Sequence, residues 1–529
     1  MPTLRPTAGV NLRLSEFDIG LDQFAFMQNM DMGQDLIVRQ IKGSAKYHNA
    51  SLGTNAPTAV LPYYNNDTGE AQVLVAVDGK ILKRSEGKNE FETLKTGLRP
   101  SLIRTAVLVK NFLYIQHPDG ILEYDGVSKV RKLKKKKEEQ ETKVKDLVFS
   151  KETNRAFAVL DDAPNQVIFT DDVVTTQGVP TKWSGFNVDV LPPTQGDIIE
   201  KLWILRGRLV YLMTNSVWIQ YINGGPENWR IEKAPTTVGC IAPWTVKQVG
   251  QELWFLGYSP NTGRGIYAFN GQTSRLLSYD IQRYIDRIND NRITQAVAEY
   301  VDDQYRISFA IDGSIENNIT FHADVLQQNP QTQSPNFYGP HTYGFSASGI
   351  LNTRKFRGEH LIARKHSDGA RVFRIADYET FYSDELVDNG DLIPTVLKYP
   401  VISSEQTERG ALDESWVKRY RQFITNMPPV GTWSARIELR KDFQNEAERD
   451  FEIYMEGNNS SVEDIILGKT PLDLESLHTQ SFLADIIGRA LQIIITNHSV
   501  GGKTAIASIQ YDASPVRRIT NAPISVLNN

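Results

Sequence analysis

Two stretches of this chain, Ile121-Leu-Glu-Tyr-Asp-Gly-Val-Ser and Ile266-Tyr-Ala-Phe-Asn-Gly-Gln-Thr, match position by position in kind. Each is an apolar strand, a turn dipeptide and a following hydroxyl residue, and the two lie 145 residues apart. A second pair, Pro180-Thr-Lys-Trp183 and Pro226-Glu-Asn-Trp229, stands downstream of the strand-like runs Gln166–Thr170 and Ser216–Tyr221 at an offset of 46. The first offset is about three periods of 48, so the two spacings agree. A period of 40–50 residues built from short strands is the mark of a propeller. Each four-stranded unit has an apolar face that it cannot bury alone, and a closed ring buries all of them while leaving short edges.

The rest of the chain is written in the same grammar. Runs of four to seven residues rich in Val, Ile, Tyr, Phe and Trp, such as Val73–Val77, Asn111–Gln116, Leu209–Met213 and Leu253–Gly257, are bounded by Gly-containing turns. Asn-Gly and Asp-Gly supply the positive φ angles that tight hairpins need. Further strand pairs at Val73–Lys83, Tyr305–Ile311 and Glu359–Ala376 extend the pattern to about residue 385, and roughly 325 residues at this period give six or seven blades. One helical period shows, over Tyr279–Asp290, with Ile281, Tyr284, Ile285 and Ile288 on one face. After residue 385 longer alternating strands (Trp416–Ile424, Gly431–Arg440, Asp450–Glu456, Leu491–Asn497, Thr504–Asp512) suit a β-sandwich. The expectation is an all-β chain: a loop-like arm over 1–55, a β-propeller of six or seven blades over 56–385 with one short inserted helix, and a C-terminal β-sandwich-like domain over 386–529.

Composition narrows the function classes. The single cysteine, Cys240, rules out an intrachain disulfide framework and a cysteine zinc cluster. Its apolar context, Val238-Gly-Cys-Ile-Ala, is that of a small packed hydrophobe. The amino terminus has no basic segment followed by an apolar core, and no window approaches 18 uninterrupted apolar residues, so neither export nor a membrane span is expected. Gly468-Lys-Thr and Gly502-Lys-Thr resemble the end of a phosphate-binding loop, but Glu463 and Asn497 stand where its first glycine would have to be. The eight histidines are scattered, and His360 and His366, the closest pair, are expected at opposite ends of a hairpin. Asp161-Asp162, Asp171-Asp172 and Asp302-Asp303 could in principle serve glycoside chemistry, but adjacent acids at strand ends are turn residues far more often. No Gly-x-Ser-x-Gly occurs. The sequence therefore advertises no enzyme, no cofactor and no metal centre.

One charge feature is extreme. From Lys129 to Lys145 nine positive and three negative residues give a local +6, so against a net −5 the remainder of the chain carries −11. Arg131, Lys132, Lys134, Lys135, Lys136 and Lys137 form a candidate polyanion-contacting loop, since clustered lysines bind polyanions without reading sequence. A solvated connecting loop is the plainer reading.

Gly9-Val-Asn-Leu-Arg-Leu-Ser-Glu, Gln28-Asn-Met-Asp-Met32 and Val38-Arg-Gln40, with the Arg208–Trp218 hairpin and Gly265-Ile-Tyr-Ala-Phe-Asn-Gly271, resemble the tail nozzle proteins of short-tailed bacteriophages, also called packaged-DNA stabilisation or tail hub proteins. The resemblance covers roughly residues 1–320. It implies a structural virion protein, assembled in the host cytoplasm and located in the tail. It further implies a homo-oligomeric ring, expected to be a hexamer, below the head-to-tail connector or adaptor and in contact with tail fibres or other tail proteins. Double-stranded DNA would pass through the ring without sequence specificity, and the packaged genome would be held until ejection. The Lys134–Lys137 run departs from that pattern. A carbohydrate-binding adhesion propeller, with Trp183 and Trp229 lining a sugar site, is the alternative, and a propeller glycoside hydrolase the third.

Overall fold

The computed structural model describes the chain from Met1 to Arg518, apart from segments 133–142, 172–182, 193–195, 330–333, 353–357, 376–392, 413–415, 429–431, 457–476 and 498–503 and isolated positions between them. The described residues are nearly all β, in many small antiparallel sheets. They divide into two compact units. One comprises residues 44–320 and 343–377, the other residues 1–43, 321–342 and 378–529.

In the first unit, four-stranded antiparallel sheets follow one another along the chain. Sheet I is Ala59–Tyr64, Ala71–Val77, Lys80–Ser85 and Glu92–Lys95, and sheet II is Ala106–Val109, Phe112–Ile115, Leu122–Tyr124 and Arg131–Lys132. Sheet III is Val144–Ser150, Arg155–Leu160, Gln166–Thr170 and Trp183–Val190, and sheet IV is Ile199–Leu205, Arg208–Met213, Val217–Tyr221 and Arg230–Lys233. Sheet V is Gly239–Val249, Glu252–Ser259, Gly263–Phe269 and Ser274–Leu276. The hairpin Val297–Val301 and Gln304–Phe309, here called VI, comes next. Sheet VII is Ala347–Leu351, Glu359–His366 and Gly369–Ile375, and its fourth strand comes from the other end of the chain, Ser44–Lys46 paired with Phe373–Ile375.

The two internal repeats fall where a repeated unit requires. Leu122–Tyr124 and Gly263–Phe269 are each the third strand of their sheet, three sheets apart, and Trp183 and Trp229 each stand at the start of a fourth strand, one sheet apart.

Successive sheets pack face to face, and strand alternation explains how. On Ala71–Val77, Leu74 and Ala76 belong to the core shared with sheet II, with Leu113 and Ile115. Val73 and Val75 belong to the core shared with sheet VII, with Leu361 and Val372. A strand buried on both faces is apolar at nearly every position rather than every second one, so this segment reads Ala-Gln-Val-Leu-Val-Ala-Val, its one polar residue, Gln72, being hydrogen-bonded to Tyr124 and to the Gly126 carbonyl. Equivalent cores join II to III, III to IV and IV to V. The first strands of II through VII neighbour one another in order, and that of VII returns to that of I.

The expected helix is shorter than its periodicity. Gln282–Ile285 is a single α-turn between the 3-10 segments Tyr279–Ile281 and Asp290–Gln295, although Ile281, Ile285 and Ile288 are buried as the pattern requires. A helix this short cannot hold itself, so its apolar contacts fix it.

The second unit contains the long C-terminal strands. Thr3–Leu4, Ser508–Arg518, Trp416–Met427 and His478–Gly488 form one sheet. Phe26–Gln28, Val396–Lys398, Leu491–Asn497, Thr432–Lys441 and Arg449–Glu456 are consecutive neighbours in another. Phe451 of the second lies 5.2 Å from Phe482 of the first, so aromatic side chains pack between them. The arm and the terminal domain, separate in chain order, are here one unit. Strands of two or three residues from the arm complete sheets begun some 400 to 500 residues later.

Candidate functional site

The first strands of the first unit surround a cavity of about 170 Å³. Thr58–Val60, Thr105, Lys201, Trp203, Pro243, Trp244, Val246, Lys247, Val297 and Ser346–Ser348 line it, so six of the seven elements contribute. Charged, aromatic and hydroxyl side chains from several sheets converge on it.

The lysines on the first strands, two of which line the cavity, are matched one by one. Lys201 Nζ lies 2.7 Å from Asp146 Oδ1, with the two side chains 8% and 1% exposed, and the second oxygen of Asp146 accepts the Leu202 N–H at 2.7 Å. Lys145 meets Glu200 at 2.8 Å and donates to the Ile199 carbonyl at 2.9 Å. Lys247 meets Glu299 at 3.0 Å. Each pair bridges neighbouring first strands, III to IV twice and V to VI once. Buried charges that face each other in this way neutralise the wall rather than present a field to a ligand. Lys201 Nζ also stands 5.2 Å from the Trp244 ring centre, and Trp203 Nε1 donates to Gln248 at 3.3 Å.

Ser348 and His360 form the arrangement that most resembles a nucleophile and its base. Ser348 Oγ is 2.9 Å from His360 Nε2, and His360 Nδ1 is 3.0 Å from a guanidinium nitrogen of Arg306. A guanidinium has no acceptor, so Nδ1 is the acceptor of that bond and the ring proton resides on Nε2. His360 therefore donates to Ser348. A general base must accept the serine proton at that same nitrogen, and here the lone pair needed is already aimed at Arg306. The relay runs in the wrong direction for acyl transfer. Sequence reading passed over this pair, because Ser348 lies opposite Ile362 and His360 opposite Ile350, a diagonal neighbourhood on one sheet face with no linear signature.

Other candidate residues fall as follows. Cys240 is fully buried among Leu212, Val246 and Phe255, and burial pushes its thiol up to about 12, as expected of a packed hydrophobe. Asp302 and Asp303, both at positive φ, make the tight turn of hairpin VI. His360 and His366 lie at the two ends of the single strand Glu359–His366, and His366 Nδ1 contacts Asp368 at 2.8 Å in the following turn. Trp229 is half-buried between sheets III and IV, with ring centres 5.6 Å from Phe157 and 4.9 Å from Phe169, and its Nε1 donates to the Gly224 carbonyl at 3.2 Å. Trp183 opens the fourth strand of sheet III opposite Thr170. Among the described residues, three or more His, Cys, Asp or Glu side chains do not gather as a metal would require, and no helix is long and apolar enough to cross a membrane. Arg131 and Lys132 form the short fourth strand of sheet II, opposite Glu123 and Leu122, while Lys134, Lys135, Lys136 and Lys137 lie outside the described residues.

No protein-family model matches the chain, and no curated protein matches it by sequence. Solved structures do. An ancestral GH74 enzyme aligns at 10% identity and a TM-score of 0.41, over 65% of this chain and 49% of its own, so the chain spans about half the length of that enzyme. BamB from Moraxella catarrhalis aligns at 10% identity and a TM-score of 0.37, over 66% of this chain and 96% of its own. The extracellular domain of a one-component system from B. thetaiotaomicron aligns at 10% identity and 0.35, over 71% and 53%.

Proposed function

We propose that this chain is a structural subunit of a virion tail, a nozzle or hub that assembles as a ring, extends the DNA channel below the connector and retains the packaged genome until ejection. The first unit is then a seven-bladed propeller, with the hairpin Val297–Phe309 as the core of the sixth blade and the strand Ser44–Lys46 closing the seventh. The observation that carries a non-catalytic reading is the axial cavity itself. Its two lysines, Lys201 and Lys247, are offset by Asp146 and Glu299, and its serine accepts a hydrogen bond from His360 instead of donating one. The cavity of about 170 Å³ is walled by side chains from six of the seven elements, so in this reading the duplex does not thread a single propeller. DNA would pass between copies, and each copy must offer two different complementary surfaces to close such a ring.

The test is the assembly. The purified chain imaged alone and with tail components should give closed rings with a central opening wide enough for duplex DNA, and a strictly monomeric chain absent from particles ends the proposal. The adhesion reading keeps one observation in its favour: Trp203 and Trp244 are half-exposed beside hydroxyl groups in the axial cavity. Glycan binding that Trp244→Ala abolishes with the oligomer intact would favour it.

A further inference from the structure

Many arginines of the described chain are matched to carboxylates. Arg39 has Asp35, Arg264 has Asp290, Arg275 has Glu252, Arg287 has Asp312 and Arg419 has Asp485. In a chain with 63 acidic and 58 basic residues that is the expected outcome. Arg206 and Arg208, two positions apart, are held instead by neutral groups. Arg206 donates from Nε to Gln251 Oε1 and from Nη2 to the Gln251 carbonyl, both at 3.0 Å. Arg208 lies with its guanidinium carbon 4.8 Å from the Tyr221 ring centre. Neither has a carboxylate within ion-pair reach among the described residues. Glu152 lies near their turn, its Oε1 4.0 Å from where a Cβ on Gly207 would stand.

Both guanidiniums line one polar groove of about 250 Å³, floored by Val210 and Ile219 and walled on the far side by the turn Asn270-Gly271-Gln272. Their backbone placement is specific. Arg206 and Gly207 are the two central residues of the hairpin in sheet IV, at φ of 51° and 71°. That turn ordinarily takes Asn-Gly, and an arginine at the first position carries a conformational cost of about 1 kcal/mol. Gln251 takes two of the guanidinium's donors, from Nε and Nη2. Two fixed planar cations without counter-ions, set over an apolar floor beside a polar turn, are complementary to a tetrahedral oxyanion, for which guanidinium geometry is suited.

We propose that the Arg206–Arg208 groove binds a phosphate group. The same chemistry could come from a phosphate monoester in solution or from the phosphodiester backbone of DNA, and it stands apart from both the Lys134–Lys137 run and the tail reading.

The experiment uses the full chain. Inorganic phosphate is titrated by calorimetry into the wild type, Arg206→Asn and Arg208→Gln, with thermal melts confirming that each variant folds. Asn is chosen because it accepts the turn's positive φ without strain. Saturable binding weakened about tenfold by each substitution is expected for the loss of one charge-assisted contact. A second arm measures a short duplex by anisotropy against salt, with Lys134–Lys137 all replaced by Gln. If the duplex also loses affinity in the two arginine variants and its salt slope falls by about one per arginine, the phosphodiester is the ligand. If phosphate responds and the duplex does not, the ligand is a monoester. Phosphate that fails to saturate, or saturates equally in wild type and both variants, overturns the proposal whatever the oligomeric state.

Discussion

Asp146, on the first strand of sheet III, and Lys201, on the first strand of sheet IV, form an ion pair at 2.7 Å with almost no exposure to solvent. The pair joins two sheets that are otherwise held by apolar packing, and the Leu202 N–H completes the coordination of Asp146. Removing one partner leaves the other as an uncompensated buried charge, whereas removing both leaves shape without charge. Lys201→Met alone is expected to destabilise the first unit by about 3–5 kcal/mol. The double variant Asp146→Leu, Lys201→Met should recover a large part of that loss. Urea denaturation of the three proteins checks this, and strictly additive losses would mean that the pair is not the source of the effect.

His48 makes ring closure sensitive to acid. It follows the strand Ser44–Lys46 and its Nε2 accepts the Val372 N–H at 3.1 Å, so the imidazole is part of the join between the two ends of the unit. Burial, reinforced by Arg371 and Arg84 and opposed by Asp368, holds its pKa down at about 4, against 6.5 for the free side chain. Between those values the unfolded chain binds a proton that the native chain does not, so this group's stabilisation is full above pH 6.5, declines as pH falls and is lost below about 4. The change amounts to roughly 3 kcal/mol. His48→Gln retains an acceptor for Val372 and removes the titration. The difference in unfolding free energy between wild type and variant, from urea denaturation, should therefore shift by most of that amount from pH 7.5 to pH 4.5, and a pH-independent difference would exclude His48 as the acid-sensitive element.

Trp229 should behave as packing. It packs against both Phe157 and Phe169, and deleting a buried Trp costs about 3–5 kcal/mol. Because the ring is only half-buried, Trp229→Ala is expected to cost about 2–3 kcal/mol, with Trp229→Phe recovering much of it. A variant with unchanged thermal stability but lost ligand binding would return this residue to the adhesion reading.

How far the chain could be read in advance follows from the range of its interactions. Sheets I to V were legible because each is a meander closed within its own repeat, and the turn residues at Asp125-Gly126 and Asn270-Gly271 carry the period. The strand Ser44–Lys46 was not, because three residues have no measurable alternation and their partners, Phe373–Ile375, lie more than 300 positions away. Thr3–Leu4 and Phe26–Gln28 failed for the same reason. The axial ion pairs were equally hidden: Asp146 and Lys201 are 55 residues apart, and only the stacking of one repeat on the next makes them neighbours. Arg206-Gly207 was the exception, a turn signal visible in the sequence whose unusual first residue could have marked the groove beforehand.

Cys240 offers a probe of how the first unit opens. Its thiol is fully buried in the core between sheets IV and V, and desolvation pushes its pKa up to about 12, so the reactive thiolate is scarce while the core is closed. Alkylation by iodoacetamide under native conditions should therefore proceed only through opening of that core, at a rate that follows its unfolding free energy where reclosing is fast. Lys201→Met, which weakens the neighbouring join between sheets III and IV, should speed labelling if opening is cooperative around the ring. If sheets IV and V open as a local unit, labelling in that variant will match the wild type while the global urea midpoint falls. Mass spectrometric rates for the two proteins separate these outcomes, and rapid labelling of the folded wild type would show that the thiol is not closed off at all.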